Sequence, residues 1–168
     1  WVESGVKIPM IGNAKNRYQL FGVEDLVSAI YLASTLPVEK VNDTFNVGAK
    51  EFRTVEEDLG ELCKYAGSGS RVMHTPAKLI KFFLRIFELL HLSPLYKWIY
   101  GTADTDSYVS IEKAEKVLGW EPKYSNAQAL IRSYQWYLDN KNTIQKGTGV
   151  THRIAWKQGI LAMFKKLL

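Results

Sequence analysis

Cysteine is all but missing. Cys63 is the only one among 168 residues, which excludes an internal disulfide and suits a reducing compartment. Trp1-Val2-Glu3-Ser4-Gly5 opens the chain without the apolar stretch of a secretory signal. There is no initiator Met either, so the sequence reads as a fragment of a longer protein. No spacing of His, Cys, Asp or Glu suggests a metal site. Acidic residues are absent from 141–168, which carry six cations: Lys141, Lys146, Arg153, Lys157, Lys165 and Lys166. Residues 1–140 then hold 16 basic against 17 acidic side chains, so the net charge of +5 belongs to the tail. The neutral body shows no basic stripe with interleaved aromatics, which argues against nucleic-acid binding. These absences point to a cytoplasmic protein.

What is present is the composition of a folded domain, 46% hydrophobic and 12% aromatic. Ile8–Ile11 reads as a short strand closed by the turn pair Gly12-Asn13, and 18–21 as a second extended piece. Asp25 is expected to be an N-cap, with Leu26, Ala29, Ile30 and Ala33 following at helical spacing up to Pro37. Thr44–Val47 is strand-like. Thr54 and Glu57 form a capping box that opens a helix ending near Gly67. Arg71–His74 reads as another strand. Residues 76–91 predict a strongly apolar helix, too short and too charged to span a bilayer, whose wide apolar face should be buried in protein. A short helix over 92–100 is expected to lie on the same core. Helices over 110–118 and 126–140 follow, the latter with Ala127, Leu130, Ile131, Tyr134, Tyr137 and Leu138 on one face. Residues 141–151 are a polar linker, and 152–168 a separate amphipathic helix. Short strands alternating with helices make the class α/β.

Three segments, in order, carry a family resemblance. They are Ile8-Pro9-Met10-Ile11-Gly12 with Phe21-Gly22-Val23-Glu24-Asp25-Leu26; Thr44-Phe45-Asn46-Val47-Gly48 with Thr54-Val55-Glu56-Glu57; and Lys113-Ala114 with Leu118-Gly119-Trp120-Glu121-Pro122-Lys123-Tyr124. Together they resemble the epimerase/dehydratase branch of the extended short-chain dehydrogenase/reductases. The third segment has a structural rationale of its own. Gly119 can take the left-handed conformation that stops a helix, Trp120 tucks beneath it, and Pro122 blocks continuation.

The resemblance implies the C-terminal, helix-rich substrate part of a Rossmann-type enzyme, spanning 1–140, whose substrate is a nucleotide-sugar. It implies NAD or NADP, held mainly by an N-terminal part that the sequence lacks. The family's pyrophosphate turn needs a glycine-rich link from strand to helix. Gly67-Ser68-Gly69-Ser70-Arg71 instead follows a helix and lacks the third glycine. The family's Tyr-x-x-x-Lys pair is mimicked only by Tyr137 and Lys141, at a fraying helix end. Neither catalytic nor cofactor-binding residues are therefore expected here.

The resemblance also implies that 16–19 and 101–107 contact the diphosphate, making Arg17, Tyr18, Gln19, Asp104 and Ser107 substrate-binding candidates; His74, just before Pro76, is a further candidate at the pocket mouth. Two positions depart from the family. Tyr18 and Gly101 stand where an Arg often binds phosphate, which leaves open a different sugar nucleotide or an unrelated carbonyl or alcohol. Plainer roles compete with each assignment. Arg17 can be a solvated loop charge, Gln19 an edge polar group, His74 a strand-end residue, and Asp104 and Asp106 turn residues capping the next helix.

In the tail, Trp156, Ile160, Met163, Phe164, Leu167 and Leu168 share half a helical wheel, with Lys165 and Lys166 opposite. This pattern fits peripheral contact with the inner face of a membrane, or packing on the body or on a sister subunit of a homodimer. Rival functions are a related dehydrogenase acting on a lipid or steroid-like substrate, a non-catalytic membrane or subunit-interface module, and a nucleotide-sensing protein.

Overall fold

The computed structural model describes residues 1–92 and 97–143 and, of the tail, Lys165 alone. Most of the 141–151 linker, the 152–168 helix and part of the 92–100 helix lie outside the described residues. The order is β1 (Ile8–Ile11), α1 (Val23–Thr35), α2 (Val38–Val41), α3 (Val55–Ala66), β2 (Val72–Thr75), α4 (Ala77–Leu89), α5 (Lys97–Thr102), α6 (Glu112–Leu118) and α7 (Asn126–Asn140). The class is mixed α/β. β1 and β2 form a two-stranded parallel sheet in which Ile8 faces Val72 and Ile11 faces Thr75.

Local chemistry explains where several helices start. Thr54 Oγ1 accepts from Glu57 N at 3.3 Å, and Glu57 Oε2 accepts from Thr54 N at 3.0 Å, closing the capping box before α3. Ser125 and Gln128 make the same reciprocal pair before α7, at 3.2 and 2.9 Å. α6 stops at Gly119, whose φ of 65° is left-handed, and its N–H bonds back to Ala114 O.

Trp120 turns under that stop and is 1% exposed, in a cluster with Ala29, Ile111, Ala114 and Leu118. The indole Nε1 donates to Asp25 O at 3.0 Å and Ser28 Oγ at 2.9 Å, fastening α6 to α1. Gly119→Ala is expected to cost about 1 kcal/mol, because a Cβ disfavours positive φ. Urea unfolding compared with the parent chain measures it, and an unchanged midpoint would contradict the assignment.

Three expectations are corrected. Asp25 is not the N-cap of α1; Gly22 is, and Asp25 sits in the first helical turn, 1% exposed. Its Oδ1 accepts from the Lys123 backbone N–H at 2.9 Å, a partner 98 residues away that no local pattern reveals. Residues 44–47 are not a strand, since no ladder bonds form there. Phe45 and Val47 nonetheless pack on the Trp120 cluster. The extended 18–21 piece, by contrast, forms an isolated parallel bridge, Tyr18 to Ser107.

The third correction concerns α4. Its wide apolar face was expected to be buried, yet only Leu84 is, at 7% exposure, while Leu79, Phe82, Phe83 and Leu89 face solvent. The Leu84 side alone meets the body. There Tyr100 of α5 is buried, and its hydroxyl donates to Glu88 Oε2 at 2.5 Å. No helix among the described residues is long and apolar enough to cross a membrane.

Candidate functional site

β1 and β2 are parallel, so their carboxyl ends open at one edge, and a cavity of about 600 Å³ lies there. Its wall is Gly12 and Asn13 after β1, His74 and Thr75 at the end of β2, Pro76 and Ala77 entering α4, and Asp104. The two strand ends are tied together: Gly12 N donates to Thr75 O at 3.0 Å, and Thr75 N to Gly12 O at 3.1 Å. Gly12 has φ 84°, and a Cβ there would stand 3.2 Å from that of Asp104. A side chain at position 12 would therefore crowd the Asp104 loop.

That loop is held from both sides. Asn16 Nδ2 donates to Ala103 O at 3.3 Å and to Thr105 O at 2.9 Å. Asp104 pairs with the Lys81 ammonium, which also donates to Gly101 O at 2.8 Å. Both partners are about a quarter exposed. Asp104 is thus a charge partner and not a helix cap, and the cation comes from α4. In the sequence Lys81 looks like one of several helix-surface cations. Its signal is helical position, on the Leu84 side of the helix rather than the solvent side. His74 Nε2 lies 2.9 Å from Glu56 Oε1 of α3. α4 begins at Pro76 with no side-chain cap and no acid in its first turn, so its leading N–H groups lack a side-chain acceptor.

Of the six residues singled out from the sequence, His74 and Asp104 line the cavity, and Arg17, Tyr18, Gln19 and Ser107 lie outside its wall. Arg17 is stitched to the 106–108 segment. Its N–H donates to Asp106 Oδ1 at 2.8 Å, its guanidinium donates to Tyr108 Oη at 2.7 Å and sits 4.5 Å from that ring's centroid. Gln19 spans two backbones: Nε2 donates to Ala49 O at 2.7 Å, and Oε1 accepts from Val109 N at 2.9 Å. Gly48 makes room for it, since a Cβ there would fall 2.6 Å from Gln19 Cδ. Tyr18 and Ser107 meet through main chain, with Gln19 N donating to Ser107 O at 2.9 Å and Ser107 N to Arg17 O at 2.8 Å.

The Tyr137/Lys141 pair is committed elsewhere. Tyr137 is 40% exposed, not on a buried face, and its hydroxyl donates to Glu3 Oε2 at 3.1 Å; Lys141 pairs with the same carboxylate. The Glu3 bond and burial push the phenol's pKa up, the opposite of what proton abstraction needs. The Gly67–Gly69 turn ends α3 and leads into β2, so it opens no helix toward a pyrophosphate. Among the described residues, neither this turn nor the Tyr137/Lys141 pair has the geometry that holds or uses NAD. Among the described residues, no group of three or more His, Cys, Asp or Glu could hold a metal ion.

Comparison with known proteins places this geometry. An epimerase of Methanothermobacter thermautotrophicus superposes with a TM-score of 0.63 at 22% identity, over 85% of this chain and 36% of that one. UDP-glucose 4-epimerase of Thermotoga maritima, solved with UDP-glucose, gives 0.58 at 22%, over 83% of this chain and 37% of its own. dTDP-glucose 4,6-dehydratase of Bacillus anthracis, in complex with NAD, gives 0.54 at 22%, over 82% and 36%. The chain has the fold of part of an epimerase or dehydratase. In sequence it is 39% identical to an uncharacterized protein of Sinorhizobium fredii over 166 residues. That match takes in 97% of this chain and 40% of the relative, so the chain spans well under half of the proteins it matches. No family model matches it.

Proposed function

We propose that this chain is the C-terminal, substrate-side part of an NAD(P)-dependent nucleotide-sugar epimerase or dehydratase, and that its ligand is the nucleotide-sugar. One observation carries the reading: the cavity opens at the carboxyl ends of paired parallel strands, where sheets of this class bind their ligands. Two of the structural neighbours support it, one solved with UDP-glucose and one a dTDP-glucose dehydratase.

The chemistry of the wall suits the ligand. The uncapped start of α4 offers N–H groups to an anionic diphosphate. The Asn13 amide and the His74 ring offer hydrogen bonds to sugar hydroxyls, and the Lys81–Asp104 pair fixes the loop that closes one side. This chain's residues bind and orient. Hydride transfer to and from NAD(P) belongs to the rest of the longer protein.

Isothermal calorimetry of the 168-residue chain with UDP-glucose and dTDP-glucose tests the reading. Lys81→Met frees Asp104 and its loop, and is expected to weaken binding about tenfold, a loss of roughly 1.4 kcal/mol. NAD alone is not expected to bind tighter than about 100 μM, or roughly −5.5 kcal/mol. Equal sugar-nucleotide affinity in parent and variant would reject the assignment of the site, and tight NAD binding would reject the division of labour.

A further inference from the structure

α4 is amphipathic the wrong way round for a buried helix. At 100° per residue, Leu89, Phe82, Ile86, Leu79 and Phe83 fall within a 120° arc, and Leu84 lies on the opposite side. Leu84 is the buried member, whereas Phe82 is 59% and Leu89 71% exposed. The arc therefore points away from the body. Leu90 and Leu92, just past the helix, are exposed as well.

Charge is arranged around this arc with one sign. Lys78 and Arg85 border it on one side, both exposed, and neither forms an ion pair among the described residues. The two acids nearest in the fold are spent elsewhere: Glu88 accepts from the Tyr100 hydroxyl and the Lys97 N–H, and Asp104 takes Lys81. The Tyr100 bond chiefly, and the nearby Arg85 charge in lesser part and without an ion pair, hold the Glu88 carboxyl below its usual range. An apolar strip bordered by two exposed cations and no unengaged acid matches a surface that is apolar within and anionic outside.

We propose that the outward arc of α4 docks on an anionic lipid bilayer, with the helix lying in the plane of the headgroups. Thirteen residues make a rod about 20 Å long, enough to set both phenylalanines below the headgroups while Lys78 and Arg85 stay at phosphate level. A second copy of the chain fits less well. Two such arcs would bring cationic borders together with no acid to receive them.

The test reads α4 directly, because the basic tail also has a membrane-binding sequence pattern. Cys63 is buried, so Phe83→Cys gives one accessible thiol for an environment-sensitive NBD probe on the full 168-residue chain. With phosphatidylcholine vesicles containing phosphatidylserine, the probe is expected to shift to the blue and to be quenched by spin-labelled lipid. Adding Lys78→Glu and Arg85→Glu should weaken that response about tenfold or more. Three results would each overturn the proposal. One is a probe that stays in water while the chain floats with vesicles. Another is an equal response to vesicles without phosphatidylserine. The third is a blue shift that needs no lipid and grows with protein concentration, which would assign the arc to self-association.

Discussion

Trp120→Ala is expected to lower the unfolding free energy by about 3–5 kcal/mol, a large part of what a domain of this size possesses. The indole is 1% exposed and touches the cluster that joins α1 to α6. Alanine would remove its apolar area and leave a cavity between Ala29, Ile111, Ala114 and Leu118. Two hydrogen bonds go as well, although Asp25 O keeps its bond from Ser28 Oγ at 2.8 Å. Trp120→Phe separates the terms. It keeps most of the volume and loses the N–H, so about 1–2 kcal/mol is expected. Urea unfolding followed by far-ultraviolet circular dichroism gives both numbers. A Phe variant as damaged as the Ala variant would show that the hydrogen bonds, not packing, dominate.

Asn126→Leu is expected to cost about 3 kcal/mol or more, by a different route. Asn126 is 1% exposed, yet its side chain makes three bonds that join the 18–20 segment to Asp58 of α3. Oδ1 accepts from Leu20 N at 2.8 Å; Nδ2 donates to Tyr18 O at 2.6 Å and to Asp58 Oδ2 at 2.9 Å. Leucine is close in volume, so no cavity forms. What remains is a part-buried backbone donor, a part-buried acceptor and a buried carboxylate deprived of one partner, each costing about 1–3 kcal/mol at full burial. Asp58 retains the Arg53 N–H at 3.2 Å, which limits the loss. A double-mutant cycle with Asp58→Asn isolates the pair, and zero coupling between the two positions would contradict the network.

These two residues also show what the sequence makes legible. Capping and stopping are local, so the Thr54–Glu57 box and the Gly119 stop can be read within a few residues, and both stand in the fold. The Ser125–Gln128 box has the same local form. The Asp25 carboxylate instead serves Lys123, and the partners of Asn126 are 68 to 108 residues away, so no local pattern marks either role. Segment 44–47 has strand composition, but a strand exists only where a neighbour pairs with it. α4 shows the limit of periodicity: the pattern fixes which residues share a face and does not say whether that face meets protein.

The candidate site was legible to a similar degree. Asp104 is marked by the family resemblance and His74 by its place before Pro76, and both line the cavity. Asn13 and Thr75 follow only from knowing that β1 and β2 lie side by side and parallel. Gln19 and Arg17 are polar residues in a ligand loop, yet the Gln19 amide is occupied by the Ala49 and Val109 backbones and the Arg17 guanidinium by the Tyr108 hydroxyl. Sequence marks a residue as able to bond, while the fold decides with what.

The most direct measurement is an amide nitrogen–proton NMR titration of the 168-residue chain with UDP-glucose, carried to about 10 mM so that binding as weak as roughly −2.7 kcal/mol registers. Saturable shifts are expected at Gly12, Asn13, His74, Thr75, Ala77 and Asp104, with none from NAD at the same concentration. No saturable change at those positions, or a change confined to another face, would contradict the assignment of this cavity as the nucleotide-sugar site.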